Sequence, residues 1–274
     1  PDCQIYHAEL WGERKGKYQW LLEHDVQNTP WERLEPKAPC YLFARKDADL
    51  LAEYEAGWKI NEVMPVNSAG IVTARDGLAI HWNKNQVWET VRNFVSLSPE
   101  QARDKYHLGP DVRDWKVHLA QEDLKSGKGL SKDRILPILY RPFDVRYTYY
   151  TGKTRGFICM PRSEVMKQII RKTNIGLITT RMTKDQWDCL PTRTICGHKS
   201  CAAYDINTLF PLYLYSLTGK EANFTAAFVI GIQKTLKRSF IPEGRGDLQT
   251  TVGPEDVFHY AYAVFHSPTY RRRY

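Results

Sequence analysis

The stretch from Arg141 to Phe157 concentrates the chemistry of this sequence: it reads Arg-Pro-Phe-Asp-Val-Arg-Tyr-Thr-Tyr-Tyr-Thr-Gly-Lys-Thr-Arg-Gly-Phe. Guanidinium forks can hold the edge of a base or a phosphate, and tyrosine rings offer faces on which bases stack. Gly152 and Gly156 bracket Lys153 and Arg155 in a loop that can come close to a ligand backbone. Arg146, Tyr147, Lys153 and Arg155 are therefore candidate nucleic-acid contacts, and Arg181, Lys184 and Lys199 extend the basic character through the following loops. A tyrosine-rich hairpin with a solvated rim has the same composition, so composition alone does not choose between the two.

Other chemistries find little support. No Gly-x4-Gly-Lys-Ser/Thr phosphate loop, His-Glu-x2-His helix or Gly-x-Ser-x-Gly elbow is present. A methyltransferase needs a Gly-rich turn for S-adenosylmethionine and an Asn/Asp-Pro-Pro-aromatic loop for the target amine, and both are missing. The nearest match to that loop, Asn28-Thr29-Pro30-Trp31, lacks the first proline. Asp144 with Glu164, or His259 with His266, read as surface carboxylates and core histidines rather than acid-base pairs. Cys189, Cys196, His198 and Cys201 have four soft donor atoms but no paired Cys-x2-Cys knuckle, so no zinc is expected there. With no catalytic residue, cofactor site or metal site expected, the chain reads as a binding module.

Charge separates the chain into two halves. Residues 1–130 carry 17 Lys and Arg against 20 Asp and Glu, whereas residues 131–274 carry 22 against 11. A basic half of this kind gains affinity for a polyanion by releasing its counterions. The 42% hydrophobic and 26% charged composition is that of a soluble globular protein. No apolar run reaches 18 residues and no basic-then-apolar leader opens the chain, so a cytoplasmic protein with reduced thiols and no membrane contact is expected. A start at Pro1 and an end at Arg271-Arg272-Arg273-Tyr274 suggest a segment of a longer chain.

Short strands and helices without strict alternation predict an α+β fold: one compact recognition domain with a smaller N-terminal module. Strands are predicted over Cys3–Trp11, Cys40–Phe43, Ile135–Tyr140, Val145–Tyr150, Ile175–Thr180 and Thr208–Leu217. Helices are predicted around Tyr18–Leu22, over Asp47–Gly57, from Ser98 with breaks to Leu124, over Pro161–Lys172 and from Gly253 onward. Gly70–Thr73 and Leu78–Trp82 flank Arg75-Asp76-Gly77, which predicts a tight hairpin. Lys125–Lys132 reads as a flexible connection.

Long stretches then point to a family. Leu139–Phe157, Asn174–Arg181, Leu209–Tyr215 and Gly253–Tyr270 resemble the C-terminal specificity region of type ISP restriction-modification enzymes and related DNA adenine methyltransferases. Trp58–Asp76 resembles the region just before it, so the likeness covers nearly the whole chain. It departs most over Cys189–Tyr204. The resemblance implies a domain that recognises double-stranded DNA for a methyltransferase core of the same bacterial polypeptide, whose catalytic loop and S-adenosylmethionine site lie upstream. Residues 1–25 would be the tail of that core, 26–124 the first part of the recognition region and 133–274 its basic part. A free-standing small methyltransferase or nuclease, or an interdomain scaffold that never touches DNA, are the competing readings.

Overall fold

The computed structural model describes residues 3–38, 41–45, 48–127, 129–180, 188–202 and 205–273, with the side chains of 48 and 49 excepted. Arg181 and Lys184 lie outside these residues. The chain divides into two units, Pro1–Trp58 and Lys59–Arg273. Strands and helices are mixed in both, as an α+β fold requires.

The first unit pairs Ile5–His7 antiparallel with Glu32–Leu34 and adds the helices Arg14–Glu23 and Ala48–Glu55. None of its described residues is buried. Local bonds hold it: Asp25 accepts from the Gln27 and Asn28 amides, and the Trp31 indole donates to the Val26 carbonyl at 2.8 Å. Of the strand expected over Cys40–Phe43, Cys40 lies outside the described residues and Tyr41–Phe43 fall in no strand.

The second unit is built on two four-stranded sheets. One runs Ile80–His81, Asp144–Tyr149, Ile135–Arg141, Ile195–Cys196, with the last strand parallel to its neighbour and the others antiparallel. The other runs Ser68–Ala69, Asn207–Pro211, Gly176–Thr180, Cys189–Thr192, antiparallel throughout. The helix Lys84–Ser96 packs Val87, Val91 and Phe94 against the first sheet, where Tyr149 and Phe157 meet edge to face at 6.2 Å. The second sheet shares a core with Phe228, Val257 and Phe258 of the helices Ala226–Leu236 and Pro254–His266. Residues on both sides of 125–132 contribute to the first core.

Tertiary pairing overrides several local signals. Gly70–Thr73 and Leu78–Trp82 do not form a hairpin. Instead Ile71 and Val72 bridge to Gly197 and Met160, and Ile80–His81 pairs with Thr148 and Tyr147. Asp76-Gly77 opens a helical turn, Asp76–Ala79, and the positive φ falls on Ala74 at 63° instead of on Gly77. The Asp76 carboxylate accepts from the Thr73 and Tyr140 hydroxyls, which ties this turn to the strand Ile135–Arg141. Thr208–Leu217 breaks at Leu212 into Asn207–Pro211 and Tyr213–Ser216, which join different sheets. The helix expected over Pro161–Lys172 is regular only at Ser163–Met166.

Candidate nucleic-acid interface

Four side chains form a ladder: Tyr140, Arg141 and Arg146 from the hairpin made by Ile135–Arg141 and Asp144–Tyr149, and Trp82 from just after the adjoining strand Ile80–His81. The Arg146 guanidinium lies 4.0 Å from the Trp82 ring and 4.4 Å from the Tyr140 ring, and Arg141 lies 4.0 Å from Tyr140. Period-two alternation brings Arg146 to the same face as Ile138 and Tyr140, with Ile138 directly opposite it in the register. Holding an arginine side chain still costs about 2 kcal/mol of rotamer freedom, against about 0.5–1 kcal/mol gained per exposed stacking contact. Arg146 meets that cost with two rings and the Asp144 carboxylate, which accepts from Nε at 3.0 Å and pairs with Nη2 at 2.8 Å. Arg141 stacks on one ring, that of Tyr140, and donates to the Tyr140 carbonyl at 2.8 Å and the Tyr140 hydroxyl at 3.4 Å. Arg146 is thus tied into the stem by two rings and a carboxylate, whereas Arg141 is held through its neighbour Tyr140.

Behind the ladder opens a cleft of about 200 Å³ lined by Thr73, Asp76, Tyr140, Arg141, His198 and Lys199. Burial, reinforced by the hydrogen bond to Asp76, raises the Tyr140 pKa, so the phenol stays protonated and donates to Asp76 at 2.8 Å. The His198 pKa is lowered by burial above all, and further by the neighbouring Lys199 and Arg141 charges. Its Nδ1 sits 3.2 Å from the Ile71 carbonyl, which can only accept, so Nδ1 carries the proton and Nε2 is left as an acceptor. Mixed donors and acceptors of this kind suit a base edge better than a lone phosphate.

The loop after the hairpin is clamped from below. Asp123, 1% exposed on the helix Val117–Lys125, accepts from the Phe157 amide at 2.8 Å and the Thr151 hydroxyl at 2.7 Å. Gly156 fits because a Cβ there would lie 2.2 Å from the same carboxylate. The Trp115 indole donates to the Phe157 carbonyl at 3.2 Å, and the Cys159 thiol to the Asp114 carbonyl at 3.2 Å. The loop tip is thereby a rigid display rather than a slack tether.

Of the residues singled out in the sequence, Lys153 is exposed on this tip with no ion pair among the described residues. Arg155 is 59% exposed in its side chain and reaches Asp114 at 3.2 Å. Hydrogen bonding from Arg113, then the charges of Arg113 and Arg155, hold the Asp114 carboxyl below its ordinary range. Tyr147 faces away from Arg146, with Lys84 over its ring at 5.8 Å. Lys199 joins Arg141 at the cleft. Trp82, Tyr140 and Arg141 are additional members; Arg141 opens the basic stretch that the sequence singles out, but the stacking that unites the three joins strands distant in sequence.

Cys189, Cys196 and Cys201 are buried, and burial pushes their thiols up, Cys201 to about 12. Among the described residues no group of three or more His, Cys, Asp or Glu is arranged to hold a metal. No described helix is long and apolar enough to cross a membrane.

No curated protein matches the chain significantly. Solved structures do. A DrdV–DNA complex determined by electron cryomicroscopy superposes with a TM-score of 0.68 at 20% identity, covering 100% of this chain and 28% of that one. A nuclease-deletion mutant of the Type ISP restriction-modification enzyme LlaGI, in complex with a DNA substrate mimic, gives 0.60 at 18% identity over 95% of this chain and 24% of that one. The ATP-dependent Type ISP enzyme LlaBIII bound to DNA gives 0.59 at 15% identity over 89% and 16%. The likeness is one of fold, and the chain spans under a third of each enzyme's length. The model of the Type ISP C-terminal specificity domain matches residues 62–274, and the chain belongs to that family.

Proposed function

We propose that this chain is the sequence-specific DNA-recognition part of a bacterial, cytoplasmic restriction-modification enzyme that methylates adenine. Membership of the specificity-domain family carries the reading, and the neighbours named above that were solved with DNA support it. Lys153 and Arg155 grip phosphates from the clamped loop, while Arg141 and Lys199 reach base edges from the cleft. Arg146 and Tyr147 form the stem that aims them, and Arg181 and Lys184 add charge. Residues 1–25 belong to the tail of the methyltransferase core, which supplies S-adenosylmethionine and the flipped-base pocket.

Anisotropy titrations of a labelled duplex over a range of salt concentrations test this. Changing Lys153 and Arg155 together to Ala should weaken binding to all sequences alike and reduce the salt slope by roughly one unit per lost phosphate contact. Arg141→Ala should instead cost about 1–3 kcal/mol at one base position. Unchanged affinity and slope in the double variant, with the fold intact, would assign the basic half to something other than DNA.

A further inference from the structure

The tip of the ladder-bearing hairpin is built in an unusual way. Arg141 and Asp144 pair across it, and Pro142 and Phe143 make the turn. Phe143 has φ 60°, the backbone conformation that a Pro-led turn ordinarily gives to Gly or Asn at this position. A bulky side chain there is a genuine outlier. Its ring is 89% exposed, and no described ring or cation packs on it. A single exposed apolar residue needs no explanation, but one held in a strained conformation does, since such strain collects at functional positions. Val145 on the hairpin and Trp82 beside it are also exposed, so the tip region is apolar as well as cationic.

The stem below the tip is stiff, because Arg146 is locked between Trp82, Tyr140 and Asp144. An open aromatic ring on a rigid two-stranded arm, flanked by the Arg141 guanidinium, has the features of side chains that enter a base stack. From these observations, and resting on the DNA reading above, we infer that Phe143 is a wedge that inserts between adjacent base pairs of the bound duplex and locally unstacks them. Pro142 and the strained φ aim the ring along the arm instead of letting it fold back onto Tyr140. Arg141 then lies beside the opened step, where its fork can reach an exposed base edge.

Insertion between base pairs unwinds DNA, which a contact at the groove edge does not. The full chain is therefore incubated with covalently closed plasmid DNA and topoisomerase, and the linking-number distribution is read after protein removal, with filter binding to the same plasmid in parallel. The wild-type chain should bind and shift the distribution. Phe143→Ala and Phe143→Gly should still bind, roughly tenfold more weakly, but leave the distribution unshifted at saturation, and Phe143→Trp should restore the shift. The glycine variant suits the turn's φ, so its loss of unwinding cannot come from misfolding. Equal shifts from the wild-type and glycine chains would overturn the wedge alone. A wild-type chain that does not bind the plasmid would overturn the DNA reading and the wedge with it.

Discussion

Replacing Asp123 by Ala probes whether the Lys153–Arg155 loop is truly clamped. The carboxylate accepts two hydrogen bonds in a site from which water is nearly excluded, one from the buried Phe157 amide and one from the Thr151 hydroxyl. An orphaned buried donor costs about 1–3 kcal/mol, with bonds to a charged group at the upper end. The Phe157 amide cannot turn away and loses its full share. The Thr151 hydroxyl is only partly buried and can rotate toward solvent, so it loses less. About 3 kcal/mol of destabilisation follows, against about 1 kcal/mol for Asp123→Asn, whose carbonyl oxygen can still accept both bonds. Urea unfolding measures the difference as a lower midpoint, and native-state hydrogen exchange should show protection at the Phe157 amide lost in the alanine variant and retained in the asparagine one. Destabilisation below about 1 kcal/mol, with Phe157 still protected, would mean that the loop is held by Trp115 and Cys159 and that the clamp reasoning is wrong.

Three other outcomes are expected. Gly70→Ala should cost about 3 kcal/mol, the upper end for overpacking, because its Cβ would lie 2.2 Å from the Gly197 carbonyl oxygen and backbone meets backbone there; thermal melts of the variant check this. Asp114→Asn should tighten DNA binding about threefold at low salt by releasing Arg155, with the gain fading as salt rises, and a weaker complex would count against Arg155 as a phosphate contact. Burial lowers the pKa of His81 and His198 below the ordinary 6.5, so in acid the unfolded chain takes up protons that the folded chain refuses. Stability should therefore hold above about pH 6.5 and fall as the pH drops below it; replacing both histidines by Asn should flatten that acid limb, and an unchanged limb would show that other groups drive it.

Elements with strong local signals were legible in the sequence. The Ser98 capping box does start a helix, at Pro99, and Gly253-Pro254 starts another with its Asp256 carboxylate bonded back to the Gly253 amide. The two strands around Pro142 and the glycine-bracketed loop stand where the alternation of Arg141 to Tyr149 suggests. The helix Lys84–Ser96 was readable and missed: Asn83 caps it, and Val87, Val91 and Phe94 recur along one face. The false hairpin at Arg75-Asp76-Gly77 failed for a different reason, since its partner strands lie far along the chain. The same applies to the site. The exposure of Lys153 and Arg155 follows from their glycine-bracketed loop, whereas the stacking of Arg146 depends on Trp82 and Tyr140, which only the sheet brings to it.

The run from Ser68 to Val72 also has a consequence for how the protein comes to exist. Within a few residues it pairs with Thr208 and Leu209 in one sheet, then exchanges hydrogen bonds with Cys196 and His198 beside the other, and then bridges to Met160. All of these partners are synthesised long after it. At ordinary elongation rates the segment waits on the order of ten seconds for Cys196 to emerge. During that interval Ile71, fully buried in the finished fold, has nowhere to go. Closing contacts of such separation is entropically slow, so the nascent chain passes through a stage in which a strand with apolar side chains and open hydrogen-bonding groups is exposed. Gly70, which the finished fold needs for its close approach to Gly197, is also a poor strand former. It therefore makes the waiting segment a weaker template for pairing with other copies.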